Sequence, residues 1–201
     1  SNWTIQVGST AKTIPDFTLQ PQSYVILADA DAAADLGAYG NFLGFSSMSI
    51  TNTGGTIALY NETGVLIHMV SYSDDWYGSD YKKDGGWSLE MIDPMNPCGE
   101  ALNWIASNDA NGGTPGRVNQ AKADNPDLNA PFIQSIGIES DKTILLNFSE
   151  VMDSTSLAIP EHYFISEGIG QAESVVLFAP NYKSVLIYLS DTLKPGIIYT
   201  L

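Results

Sequence analysis

The side chains with the clearest potential for chemistry are four aspartates in one turn-rich stretch: Asp74, Asp75, Asp80 and Asp84. Calcium prefers carboxylate oxygens, and a loop can add backbone carbonyls to complete a shell of roughly six to eight ligands. Paired carboxylates also hydrolyse glycosides, but that chemistry needs a fixed separation that a dense cluster does not by itself predict. Solvated charge on a surface loop is the favoured interpretation, and a calcium site at these aspartates is the alternative.

Three aromatic residues share the same stretch: Trp76, Tyr77 and Tyr81. Exposed rings beside carboxylates are typical of surfaces that bind carbohydrate or peptide, so these three residues form a candidate ligand surface. The later Trp87 and Trp104 are assigned to packing, because large rings more often close a core than face solvent.

Groups for nucleophilic or acid–base catalysis are sparse. The two histidines, His68 and His162, and the single Cys98 stand in no motif that pairs a nucleophile with a base. No serine lies in a Gly-x-Ser-x-Gly elbow, and the glycine-rich run 112–116 lacks the lysine of a phosphate-binding loop. We therefore assign no catalytic residue and expect a protein that is not an enzyme.

The charge balance narrows the choice of partners. The 201-residue chain carries 23 acidic residues against 8 Lys and Arg, and its formal charge of -15 repels nucleic acid. Its hydrophobic content of 44% is enough for a folded core. No apolar run reaches the ~18 residues of a membrane helix, so we expect no membrane insertion, and any export signal is expected to have been removed.

Period-two alternation predicts that these side chains lie on and between β-strands. The turn-forming residues Asn61 to Gly64 predict a hairpin, and Ala28 to Gly37 predicts either a short helix or a loop. The candidate strands of the first half are residues 3–7, 23–27, 49–51, 56–60 and 65–72.

A change of composition divides the chain. Between Asn108 and Pro131 few large apolar residues occur, and Asn, Asp, Gly and Pro dominate, which is typical of a linker. The spacing of the strands that follow is typical of a β-sandwich and not of alternating βα units, so we predict an all-β fold class. These later candidate strands are residues 132–138, 143–148, 163–165, 174–178 and 184–189.

The first half contains a set of motifs: Gly85 to Pro94 (GGWSLEMIDP), Asn103-Trp104 and Gly112 to Asn119 (GGTPGRVN), preceded by Trp3 to Ile5 and Thr18 to Leu27. Together they resemble a bacterial lamin tail domain, and the resemblance implies an immunoglobulin-like β-sandwich. The opening strands of that family, which carry an asparagine-glutamate pair, have no counterpart ahead of these motifs. The domain is therefore expected to lack them and to leave a sheet edge for another segment or a partner chain.

A different set of motifs marks the second half: Ala130 to Ile133, Ile144 to Asp153 (ILLNFSEVMD), Tyr163 to Ile165 and Thr192 to Leu201. They resemble the bacterial Ig-like repeat of S-layer and surface proteins. Because that repeat usually continues past its final tyrosine-bearing strand, this domain is expected to lack its last strand.

The two resemblances imply immunoglobulin-like β-sandwiches in tandem: a lamin-tail-like domain at 1–120, a linker at 121–129 and a bacterial Ig-like domain at 130–201. They imply a non-catalytic structural or adhesion module, extracellular or on a bacterial surface, with an outer-membrane anchor on a segment ahead of this chain. Expected partners are other domains of the same polypeptide, surface proteins or a glycan, with no cofactor beyond the candidate calcium. The alternative is an accessory domain that targets a larger secreted hydrolase to carbohydrate or another substrate.

Overall fold

Strands dominate the regular structure of this chain. The computed structural model describes residues 2–201, and they divide into two compact units, the first ending at Asp127 and the second beginning at Leu128. Each helix is a single turn. The predicted all-β class is confirmed, and the division between the units lies inside the segment 121–129 that was predicted as a linker.

Within the described residues, the first unit contains eight strands: β1 (Thr4–Val7), β2 (Thr10–Thr13), β3 (Val25–Asp29), β4 (Asn41–Phe45), β5 (Gly54–Tyr60), β6 (Leu66–Ser73), β7 (Leu89–Met91) and β8 (Trp104–Ala106). Its helical turns are α1 (Ala33–Leu36), α2 (Asp80–Lys83) and the 3-10 turns Ala30–Ala32, Gly37–Tyr39, Asp74–Tyr77 and Glu100–Asn103. The second unit contains β9 (Ile133–Ser140), β10 (Thr143–Phe148), α3 (Ser154–Leu157), the 3-10 turn Pro160–His162, β11 (Phe164–Ile165), β12 (Gly170–Leu177) and β13 (Ser184–Leu189).

An antiparallel sheet in the order β2-β1-β5-β6 is the largest element of the first unit. Its β5–β6 hairpin confirms the predicted turn, where the Asn61 side-chain oxygen accepts hydrogen bonds from the backbone N–H groups of Thr63 and Val65. The prediction of a strand at residues 49–51 is wrong. That segment is irregular and leads to the start of β5. Tyr72 holds it in place by donating its hydroxyl hydrogen bond to the Thr51 carbonyl at 2.6 Å.

Two smaller strand pairs complete the first unit. β3 and β4 pair in parallel. The chain between them makes short helical turns, which is one of the two alternatives predicted for Ala28 to Gly37. β7 and β8 form a separate antiparallel pair. Pairs of only two strands are marginally stable alone, so other contacts must hold them in place.

The interior of the first unit is unusually polar. Ile5, Phe45 and Met48 form its buried apolar cluster, with several half-buried neighbours. Polar side chains fill much of the remaining interior because each finds hydrogen-bond partners. The buried polar residues are Glu90, Asn96, Asn103, Ser107, Asp109 and Thr114.

The second unit has a conventional apolar core beneath one sheet, in the order β11-β12-β13-β10-β9. Alternate residues of β10 and β13 point into it, so Leu146, Val185 and Ile187 are almost completely buried. Asp153 begins α3 by accepting a hydrogen bond from the Ser156 N–H at 2.9 Å, which is the usual role of an N-cap aspartate. Tyr163 donates its buried hydroxyl hydrogen bond to the Leu157 carbonyl at 2.9 Å and so ties this cap to the core.

Candidate functional site

The acidic stretch forms two helical turns rather than an extended loop. The Ser73 hydroxyl accepts a hydrogen bond from the Asp75 N–H and begins the first turn, Asp74–Tyr77. Gly78 then takes a left-handed conformation (φ 60°), and α2 follows. The backbone therefore places Asp74 and Asp75 on one turn, Asp80 at the start of the next, and Asp84 immediately after its end.

A lysine neutralises part of the acidic stretch. The Lys83 ammonium lies 3.0 Å from the nearer Asp74 oxygen and 3.7 Å from that of Asp75. The hydrogen bond to Asp74 raises the pKa of Lys83, so the cation persists at neutral pH. Asp74 and Asp75 thus already have a positive partner within the chain.

The structure does not gather the four aspartates around one point. Among residues 2–201, no three acidic, imidazole or thiol side chains come together as a group that could hold a metal ion. Asp80 and Asp84 are exposed at the two ends of α2, where the Asp84 N–H donates to the Asp80 carbonyl at 3.1 Å. The calcium hypothesis therefore gains no geometric support from this arrangement.

Two of the three candidate aromatic residues have structural roles. Trp76 packs against Trp104, with ring centroids 6.4 Å apart. Tyr77 donates its hydroxyl hydrogen bond to the Trp87 carbonyl at 3.0 Å, and burial raises its pKa. Both side chains are half-buried, so they hold the 74–84 turns against the strand pair β7–β8 rather than presenting free faces to a ligand.

Tyr81 differs from these two residues, because 74% of its surface is exposed. Its ring lies 6.3 Å from that of Trp87, tilted by 59°. The Lys82 ammonium sits 4.8 Å from the centroid of Trp87, a cation–π contact, and also donates to the Ser107 carbonyl at 2.6 Å. Tyr81 and Trp87 therefore form a pair of neighbouring rings, and Lys82 links this pair to the loop after β8.

The glutamate of the GGWSLEMIDP motif forms the centre of a polar clamp. Thr114 donates its hydroxyl hydrogen bond to Glu90 Oε1 at 2.5 Å, and the Ala121 N–H approaches Glu90 Oε2 at 3.4 Å. The Asn119 amide donates to the Met91 carbonyl at 2.9 Å. The clamp fastens the GGTPGRVN segment along β7, which explains why these polar residue types occur together in two distant motifs.

Two glycines of the same segment allow backbones to approach closely. Gly112 (φ +83°) lies so near Gly86 that a Cβ atom would collide with its carbonyl oxygen. A Cβ atom at Gly116 (φ +70°) would likewise collide with the carbonyl oxygen of Tyr39. Both positions therefore require glycine for its missing side chain as well as for its backbone conformation.

Asn103 forms a second polar centre and is completely buried. Its amide nitrogen donates to the carbonyls of Asp93 and Asn96 at 2.8 and 2.6 Å. Its side-chain oxygen accepts from the Asp93 N–H at 2.9 Å and from the Asn125 amide at 3.0 Å. Because Asn125 belongs to the predicted linker, the front of that segment packs on the first unit.

An ion pair closes the loop that follows β8. An Arg117 nitrogen lies 2.5 Å from Asp109 Oδ2, and the Asn111 N–H donates to Asp109 Oδ1 at 2.9 Å. The Asn111 hydrogen bond, together with the Arg117 charge, holds the pKa of Asp109 below its ordinary range. The carboxylate therefore remains charged well into acid.

A cleft of ≈ 650 Å³ opens beside this clamp. Its volume falls within the range of about 300–1,000 Å³ typical of small-molecule sites. Aromatic rings line it together with polar side chains and backbone of the glycine-rich segment, so it offers both stacking faces and hydrogen-bonding groups. The lining side chains include Asp35, Tyr39, Trp87, Glu90, Thr114 and Asn119.

The remaining reactive residue types lie apart from this cleft. Burial of His68 on β6 lowers its pKa below the usual 6.5. His162 places Nδ1 2.9 Å from the Ser156 carbonyl of the second unit, and Cys98 is exposed. None of the three lines the cleft.

Sequence reasoning assigned Trp87 to core packing and did not predict the cleft that it lines. Tyr39 and Asp35 lie some fifty positions earlier in the chain, in the helical turns between β3 and β4. No local pattern marks them as neighbours of Trp87. The glycine-rich run 112–116 is the one signal in the sequence, since it predicts tight backbone packing without saying against what. In the structure, its Gly116 lies against the Tyr39 carbonyl.

No family model matches the chain, and no curated protein or solved structure matches it. Among residues 2–201, no helix combines the length and apolarity needed to cross a membrane. The lamin-tail and Ig-like resemblances therefore rest on the motif residues themselves.

Proposed function

We propose that this chain is a non-catalytic structural or adhesion module of a secreted or cell-surface protein, which acts as a spacer or protein-interaction segment. In this proposal, a lamin-tail-like immunoglobulin sandwich precedes a bacterial Ig-like domain. The observation that supports this proposal most directly is the clamp formed by Glu90 with Thr114 and Ala121. The polar residues by which the first half resembles its family bond within the chain, to Thr114, Ala121 and Met91, as expected of a signature that maintains a fold.

The division of the chain supports the spacer role. Each unit has its own buried cluster, one around Phe45 and one around Ile187. A spacer built from such units transmits force and separates its neighbours without needing a reactive group. The formal charge of -15 favours solubility and discourages nonspecific association, as a surface location demands.

Pulling the chain by its ends with an optical trap tests this role. Two separate unfolding events are expected, with contour-length gains of about 440 Å for residues 2–127 and about 260 Å for residues 128–201, less each unit's folded span, at roughly 3.5 Å per residue. A single event that releases the whole length would contradict separate load-bearing units. Extension without a force peak would contradict the spacer role altogether.

The cleft favours a second candidate, an accessory module that targets a larger hydrolase to carbohydrate. Aromatic rings stack on sugar faces, while amides, hydroxyls and carboxylates bond sugar hydroxyls, and the lining of the cleft supplies all of these groups. Titration with neutral oligosaccharides, followed by tryptophan fluorescence, tests it. Tyr39→Ala should weaken binding about tenfold through lost stacking, whereas Tyr24→Ala, at an exposed tyrosine outside the lining, should not. If the tryptophan fluorescence does not reach saturation as oligosaccharide is added, the carbohydrate-targeting role is contradicted.

A further inference from the structure

The edge strand β9 leaves apolar side chains of the second unit uncovered. Ile136 and Ile138 stand opposite Leu146 and Ile144 of β10, which are buried, so all four side chains lie on the core face of the sheet. Yet 56% of Ile136 and 71% of Ile138 is exposed. A bulge in the ladder turns Ile133 to the same face, with 42% of its surface exposed. The core face thus ends in a strip of exposed isoleucines.

The outer edge of β9 also lacks most of the usual protection against strand pairing. Among the described residues, β9 pairs only with β10 and forms one end of the five-stranded sheet. Natural edge strands are commonly short or bulged, or carry lysine, proline or inward-pointing charge. Bulges interrupt the pairing of β9 with β10 at Gln134 and Glu139, but the other devices are absent. β9 is eight residues long, and its sequence IQSIGIES contains no lysine or proline and a single charge, Glu139. Such an edge is suited to pairing with another strand.

We propose that β9 pairs with β9 of a second copy of this chain, antiparallel about a two-fold axis at Gly137. A two-fold axis perpendicular to the sheet keeps both core faces on the same side and joins two five-stranded sheets into one continuous sheet. This inference deepens the protein-interaction role proposed above by naming the partner. The pairing nevertheless stands if the spacer role fails.

The residues of β9 are self-complementary in this register. Ile136 of each copy meets Ile138 of the other, so the exposed isoleucines cover one another. Glu139 of each copy meets Ser135 of the other. The Ser135 oxygen already accepts a hydrogen bond from the Asn147 amide at 2.9 Å, which leaves its own O–H free to donate to the incoming carboxylate. Gly137 has no side chain at the axis, where the two backbones come closest.

A shift of two residues removes this complementarity. With Ile136 facing its own equivalent, Ile138 would meet Gln134 and Ser135 would meet Gly137 instead of Glu139. Apolar groups would then face polar ones, and a charge would lose its hydrogen-bond donor. The strand therefore specifies one register among those that keep the isoleucines on the core face.

Sedimentation equilibrium of the full chain measures the pairing directly. A reversible monomer–dimer equilibrium is expected, with a dissociation constant of about 10–100 μM because a single strand pair is a small interface. Ile138→Lys should raise that constant about 100-fold, because the two-fold axis repeats a roughly tenfold loss in each copy. Val176→Lys is the matched control, since Val176 is 49% exposed on β12, which β13 and β10 separate from β9 in the sheet. A wild-type chain that remains monomeric up to millimolar concentration overturns the proposal.

Substitutions at Ser135 and Gly137 test the register. Ser135→Glu should abolish the dimer by placing two carboxylates opposite each other, whereas Ser135→Lys should retain it and make it sensitive to salt. In a Cys98→Ser background, Gly137→Cys should form a disulfide between copies under mild oxidation, and Cβ there has room, with Glu139 Oε1 as its nearest contact at 3.4 Å. A dimer that is unaffected by Ser135→Glu overturns the register.

Surface display separates this inference from the proposed function. Cells that display the chain should clump, and Ile138→Lys should disperse them. Dimers in solution without clumping would contradict an adhesive role while leaving the strand pairing intact. Clumping by a chain that is monomeric in solution would contradict the pairing while leaving the adhesive role intact.

Discussion

Asn103 offers the sharpest test of how the first unit is held together. Its side chain is completely buried and makes four hydrogen bonds, with the backbone of Asp93 and Asn96 and the side chain of Asn125. Each contributes about 1 kcal/mol net, so removing the amide by Asn103→Ala should cost about 4 kcal/mol. For a total stability of roughly 5–15 kcal/mol, this is a large fraction.

The assay follows from the distribution of tryptophan. All four tryptophans lie in the first unit, so urea unfolding followed by tryptophan fluorescence reports that unit alone. A loss of about 4 kcal/mol corresponds to a fall of about 15 °C in the Tm of a unit of this size. The matched control is Asn52→Ala at an exposed position, which should change stability by less than about 0.5 kcal/mol.

A second variant separates hydrogen bonding from packing. Asn103→Asp keeps the volume of the side chain but turns an oxygen toward the two carbonyls that now accept from the amide nitrogen. It should therefore destabilise the unit at neutral pH at least as much as the alanine variant does. A cost below about 1 kcal/mol for Asn103→Asp would refute the view that these hydrogen bonds, rather than filled volume, hold the segment.

Three further predictions concern the glycine-rich segment, the half-buried His68 and the acidic turns. Gly112→Ala should cost more than about 2 kcal/mol through its positive φ and the collision with Gly86, whereas Gly37→Ala, in open space at negative φ, should be nearly neutral in the same urea assay. Because burial lowers the pKa of His68, the folded state favours the neutral imidazole. The free energy of unfolding should therefore be highest above pH 6.5 and fall as the pH drops through 6.5 toward the folded-state pKa. His68→Gln should flatten that part of the pH profile, and an unchanged profile would contradict this. Millimolar calcium should leave the Tm unchanged, since among residues 2–201 no three acidic, imidazole or thiol side chains come together; a Tm increase that disappears in Asp80→Asn or Asp84→Asn would contradict this.

Period-two patterns were sufficient to predict the elements with strong local signals. The alternation in β10 and β13 and the turn at Asn61 depend on neighbouring residues, so the strands and the hairpin could be read without knowing what they pack against. Residues 49–51 were misassigned because their β-branched side chains fit a strand. They form no regular element, and Thr51 instead accepts a hydrogen bond from Tyr72, which is distant in the sequence.

What the sequence determined by itself about this protein is its all-β class, its acidity and the residue types of its motifs, because these depend on composition and on local periodicity. Only the tertiary structure decided what the motif residues do. Glu90 meets Thr114 across 24 positions of chain, Tyr39 reaches the cleft of Trp87 from a separate turn, and within residues 2–201 β9 forms one end of its sheet. Such contacts form where chain segments distant in sequence meet, and a local pattern carries no information about which segments those are.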